Sequence, residues 1–129
     1  MGQRTGEAPA VDAFFDECPL MAVVTDADGR IQRANAAFIE ELGYSVDEIL
    51  AASIGALVNP DDRDLVDRGL ASLDAAGAKT SFTARVQQKD GATRWFRFWC
   101  SRSGRPGVVF MTAADVTQSK ADEDARRAN

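Results

Sequence analysis

The stretch Val108–Asn129, VVFMTAADVTQSKADEDARRAN, reads as one strand followed directly by a helix. Val108 to Ala114 is almost wholly apolar, and a short apolar run without alternation fits a strand covered on both faces near the middle of a sheet. Asp115-Val116-Thr117 closes it. Thr117 is placed to act as an N-cap, its hydroxyl accepting from an N–H of the first helical turn, and Asp115 can bond backbone N–H groups two residues on. Gln118 to Asn129 is rich in Ala, Asp, Glu and Arg and has no large apolar residue, so it has little reason to fold back and reads as the start of a connector helix to a further output domain.

The rest of the chain is arranged around that exit. The 129 residues carry 20 acidic and 15 basic side chains, for a net charge of -5, and suffice for one core of moderate size. An acidic chain without a basic cluster is expected to bind neither nucleic acid nor an anionic membrane surface. Cys18 and Cys100 are far apart and in no metal-type spacing, which favours free thiols in a reducing, cytoplasmic setting. No run approaches the roughly 18 apolar residues of a membrane span. Residues 1–8 are polar and expected to be disordered.

Pro9 to Glu17 reads as a short helix carrying Phe14 and Phe15, ended where Cys18-Pro19 disfavours helical geometry. Leu20 to Thr25 and Arg30 to Ala34 read as a hairpin across Asp28-Gly29, a two-residue turn signal. Asn35 is a natural N-cap for a helix over Ala36–Leu42, with Gly43 at its left-handed end. Ser45-Val46-Asp47-Glu48 is a capping box for another short helix. Ala51 to Val58 reads as irregular. Asn59-Pro60-Asp61-Asp62 opens a longer helix whose stripe is Leu65, Val66, Gly69, Leu70 and Leu73, ended by Gly77, with the acids at its positive end.

Thr80 to Gln88 alternates, with Phe82, Ala84 and Val86 on one side, and Asp90-Gly91 turns the chain into Trp95–Cys100. One face of that strand carries Phe96, Phe98 and Cys100, the other Trp95, Arg97 and Trp99. Two tryptophans flanking an arginine suggest cover by a helix or another subunit. Together with Phe14 and Phe15, Trp95 and Trp99 point to a homodimer through the N-terminal helix and the outer sheet face.

From about Phe14 to Lys120 the chain resembles the PAS sensor family. The resemblance rests on Thr25-Asp26-Ala27-Asp28-Gly29, Asn35-Ala36-Ala37-Phe38, Gly43-Tyr44, Asn59-Pro60-Asp61-Asp62, Lys89-Asp90-Gly91 with Trp95, and Asp115-Val116-Thr117, all in the family's order. It implies an α+β fold: a five-stranded antiparallel sheet of spatial order 2-1-5-4-3, helices on one face enclosing a pocket, and flanking terminal helices. The domain would span residues 9–117, with 118–129 as connector. It further implies an input or dimerisation module that passes a signal through Asp115 and Thr117 to an attached effector, most often in a bacterial sensor histidine kinase or a cyclic-dinucleotide enzyme.

Haem-binding relatives ligate iron through histidine, and this chain has none. Flavin-binding photoreceptor relatives carry a reactive cysteine where this chain has Ala52-Ser53-Ile54-Gly55-Ala56-Leu57. No cofactor is therefore expected. The pocket candidates are Val23, Phe38, Leu42, Ile54, Leu57, Leu65, Leu70, Phe82, Phe98 and Phe110. They could hold a small apolar ligand, and they could equally fill the core, which is the favoured reading. Asp26 with Asp28, and Asp61, Asp62 and Asp64, imitate acid pairs or metal clusters, but their places suit a turn and a helix start. With no histidine base, serine elbow or phosphate loop, no catalytic activity is expected.

Overall fold

A computed structural model describes residues 2–128, with the side chains of residues 2–9 outside that description. Helix α1 (Gly2–Glu17) precedes strands β1 (Met21–Thr25) and β2 (Ile31–Ala34). Four helices follow: α2 (Ala36–Leu42), α3 (Val46–Leu50), α4 (Ile54–Leu57) and α5 (Arg63–Ala71), the last entered through a 3-10 turn at Pro60–Asp62. Strands β3 (Lys79–Gln87), β4 (Thr93–Arg102) and β5 (Val109–Asp115) lead to helix α6 (Thr117–Ala128). The strands form one antiparallel sheet in the order β2-β1-β5-β4-β3, as the resemblance implies.

Local signals place most of these elements. Asn35 and Ser45 accept from the N–H groups of Phe38 and Glu48, and Ser45 with Glu48 completes the capping box. Gly43 closes α2 at φ 84°. The first hairpin is longer than the expected two-residue turn. Asp26 N–H donates to the Arg30 carbonyl, Gly29 N–H donates to that of Asp26, and Gly29 sits at φ 86°, so three residues make a turn ending in a left-handed glycine.

Other boundaries differ from expectation. Helix α1 begins at Gly2 rather than Pro9, so the segment expected to be disordered is helical from Gly2. Ala51–Val58 is not irregular throughout, because Ser53 caps a single turn at α4. Helix α5 ends at Ala71 rather than running to Gly77, which turns the chain at φ 85° before β3. The largest correction concerns β5. It is central, but its outward residues Phe110 and Thr112 are exposed, Phe110 by 49%. The apolar run reflects a strand whose outer face is open, not one covered on both faces.

The core lies between the sheet's inner face and α2–α5. Phe82 stacks on Phe98 with centroids 5.3 Å apart, and Phe96 lies 6.1 Å from Phe98. Val23, Phe38, Leu42, Ile54, Val66 and Met111 are all buried around them. Burying such side chains supplies about 1.5–3 kcal/mol each before entropy is counted. Gly69 is needed for close approach, since a Cβ there would stand 2.9 Å from the Phe82 ring.

Candidate functional site

The strand-to-helix junction concentrates the polar contacts of the sheet's end. At the last rungs between β4 and β5, Val116 N–H donates to the Trp95 carbonyl at 2.7 Å. Trp95 N–H needs an acceptor in return, but the chain has already turned into α6. The Thr117 hydroxyl supplies it, accepting from Trp95 N–H at 2.9 Å. This replaces the expected first-turn cap: the hydroxyl of Thr117 faces β4, not its own helix. The hydroxyl then donates to Asp115 Oδ1 at 2.6 Å, and Thr117 N–H donates to the same oxygen at 2.9 Å, the two-residue bond expected for Asp115. Asp115 Oδ2 accepts from Arg94 Nε at 2.8 Å.

Burial pushes the Asp115 carboxyl up, but the Thr117 hydroxyl and amide and the Arg94 guanidinium outweigh it and hold the group below the ordinary aspartate value. Asp115 is therefore an anion at neutral pH, and charged acceptors make stronger hydrogen bonds than neutral ones. Two adjacent residues of β4, Arg94 and Trp95, thus fasten two residues of the exit, Asp115 and Thr117.

Trp95 answers the question raised by the tryptophan face. Its ring lies 5.4 Å from the Arg85 guanidinium and 5.1 Å from Lys120 Nζ. The first half of α6 folds back over the sheet, where Ser119, Lys120 and Glu123 line a groove with Thr83 and Arg97. Helix α6 is therefore not free of the domain from its start, and Trp95 is half-buried between Arg85 and Lys120 of its own chain. Trp99 remains 45% exposed, with Arg97 5.6 Å from its ring, and lines a shallow apolar depression with Phe110 and Met111. Phe14 is 74% exposed. Phe15 instead packs under the Arg33 guanidinium at 4.5 Å, and Arg33 pairs with Asp12 at 3.0 Å, so Phe15 ties α1 to β2.

Of the pocket candidates, Val23, Phe38, Leu42, Ile54, Leu70, Phe82 and Phe98 are buried together between sheet and helices, and Leu57 and Leu65 pack at their margin. Phe110 does not belong with them, because strand alternation sends it to the opposite face. The acid pairs find ordinary uses. Asp26 Oδ1 accepts from the N–H groups of Asp28 and Arg30. Asp62 does more than face a helix dipole: it accepts from Arg85 N–H at 2.8 Å and from its guanidinium at 3.0 and 2.9 Å. The side-chain bonds from Arg85 hold the Asp62 carboxyl below its ordinary value against the cost of burial. Burial pushes the Cys100 thiol up to about 12. Among the described residues no group of three or more His, Cys, Asp or Glu side chains could hold a metal ion, and no helix is long and apolar enough to cross a membrane.

Comparison with known proteins agrees with this geometry: residues 15–121 match the family described as the PAS fold. The chain belongs to the PAS family. Sensor histidine kinase TmoS of Ectopseudomonas mendocina is 29% identical over 113 residues, which is 84% of this PAS chain and 12% of that protein. A neuronal PAS domain-containing protein 4-like of Danio rerio is 31% identical over 96 residues, 74% of this chain and 15% of that protein. The PAS domain thus spans less than a sixth of the curated relatives it matches. Among solved structures, the PAS domain of an HTR-like protein from Haloarcula marismortui superposes with a TM-score of 0.76 at 26% identity, covering 86% of this chain and 98% of that one.

Proposed function

We propose that this PAS domain is a non-catalytic sensory and dimerisation module. It relays strain in β5 through Asp115 and Thr117 into α6, and from there to a C-terminal effector of the histidine-kinase kind. The observation that carries the reading is the Thr117 hydroxyl occupying the place of a ladder acceptor for Trp95 N–H. A shift of β5 against β4 must stretch that bond or turn the first residue of α6. The likeness to a sensor histidine kinase supports a kinase over a cyclic-dinucleotide enzyme as the attached effector. The mutual packing of the buried pocket residues supports a filled core over a bound small apolar ligand.

The homodimer contact falls to Phe14 and Trp99, the two of the four aromatic candidates left open. The relay is tested by Asp115→Ala in the full-length protein. Asp115→Ala removes the bonds from the Thr117 hydroxyl, the Thr117 amide and Arg94, each with a net contribution of about 0.5–1.5 kcal/mol, which together remain below the roughly 5–15 kcal/mol that holds a domain. The melting temperature of the domain should fall but leave it folded at the assay temperature, while basal or stimulated output changes. Normal output, or an unfolded domain, would remove the relay.

A further inference from the structure

The edge of the sheet offers a second line of contact between the helices and α6. Asn59 N–H donates to the Arg85 carbonyl at 2.8 Å, while Asp62 takes the Arg85 N–H and both arms of its guanidinium. One residue of the edge strand β3 thus receives or donates four hydrogen bonds with the segment leading into α5. A bidentate pair fixes the plane of the guanidinium as well as its position. That guanidinium lies against the ring of Trp95, the residue directly across the ladder, and the ring in turn meets Lys120. Lys120 N–H makes a first-turn bond of α6, to the Val116 carbonyl at 2.8 Å.

We propose that Asp62, Arg85, Trp95 and Lys120 form a coupling device that reports the position of the Asn59–Asp62 segment to the first turn of α6 around the edge of the sheet. It rests on the relay reading above and adds to it an input from the helical side. Trp95 carries both attachments of α6. Its backbone holds Val116 and Thr117, and its ring holds Lys120. If Asp62 moves, the guanidinium must leave the ring or follow the carboxylate. Either way the surface on which Lys120 rests changes, while the bonds of Asp115 to Thr117 need not.

The alternative is that Asp62 only shields the edge strand, which would leave α6 indifferent to it. Amide hydrogen exchange of the 129-residue chain separates the two. A cation resting on an aromatic face at such a site contributes a factor of about two to five in an equilibrium. Asp62→Asn and Arg85→Lys should therefore each lower the protection of the Lys120 amide by about that factor, with Val109–Ala113 unchanged. Lys120→Met should do the same, and its combination with Asp62→Asn should cost no more than either alone. Trp95→Leu, which keeps the ladder bonds, gives the same readout should Asp62→Asn fold poorly. Unchanged protection in Arg85→Lys, or additive losses in the double variant, would overturn the proposal. Thr117→Ala is the control for the relay itself. If it loosens Lys120 and Arg85→Lys does not, the edge device fails and the relay stands; if only Arg85→Lys does, the relay through Thr117 fails and the edge device stands.

Discussion

Asn35 shows how much a single polar side chain can organise. Its fully buried amide oxygen accepts from Ala22 N–H at 3.0 Å and Phe38 N–H at 3.1 Å, and its amide nitrogen donates to the Leu20 carbonyl at 2.7 Å. It caps α2 and holds the chain entering β1 at once. Asn35→Ala should cost far more than an ordinary cap, because each stranded buried group costs about 1–3 kcal/mol. Asn35→Asp, which keeps both acceptances and loses the donation, should fall between. Urea unfolding checks the order, and a cost within an exposed cap's range for Asn35→Ala would contradict it. The cap was legible in the sequence; the bonds to Leu20 and Ala22 were not, since nothing local says which distant strand passes a buried asparagine.

The carboxylates give a pH dependence with a definite sign. Asp62 and Asp115 are held below their ordinary value of 3.8, and Glu48 is lowered from 4.5 to about 2 by its bond from Lys89 and by the Ser45 amide. A depressed carboxyl stabilises the fold fully above its unfolded value and loses that contribution as the pH falls through the folded one. The melting temperature should thus be flat from neutrality to about pH 5 and fall below it. Asp62→Asn should melt lower than the parent chain at pH 7 and approach it near the acid end. A gap that stays constant with pH would show that the Asp62 charge does not contribute.

At the scale of elements, α5 and α6 test packing against propensity. Gly69 lies inside α5, where alanine gains up to about 1 kcal/mol in helix propensity. Gly69→Ala should nonetheless lower the melting temperature, because its Cβ meets the Phe82 ring, which is itself stacked on Phe98. Such overpacking typically costs about 1–3 kcal/mol. A stabilised variant would mean that the ring yields freely. Elements with strong local grammar were read correctly: the capping box at Ser45, the left-handed Gly43, the turn at Asp90-Gly91. What escaped was pairing between distant segments. The bidentate Asp62–Arg85 contact joins residues 23 apart in sequence, and Asp62 alone looks like any acid at a helix start. The fold-back of α6 was hidden because its anchors are Lys120 and Trp95, not an apolar stripe. The outer face of β5 misled because Phe110 is as apolar as the buried Met111 beside it.

For the whole molecule, the absence of histidine and of a flavin-type cysteine predicts a colourless purified chain, and a visible band surviving gel filtration would contradict it. If copies associate through the remaining apolar surface, Trp99→Ser should lower the mass seen in light scattering. Trp95→Ser should alter α6 more than it alters mass. Equal effects of the two on mass would place Trp95 in the interface after all.

The relay itself is tested most directly at the Thr117 hydroxyl. Thr117→Val keeps the shape of the side chain and removes the acceptor for Trp95 N–H, whereas Thr117→Ser keeps the hydroxyl and removes the methyl. The basal output of the full-length protein carrying each substitution is the quantity to measure. The account predicts that Thr117→Val shifts that output with the domain still folded, while Thr117→Ser leaves it near the parent value. Unchanged output in a folded Thr117→Val protein would contradict it.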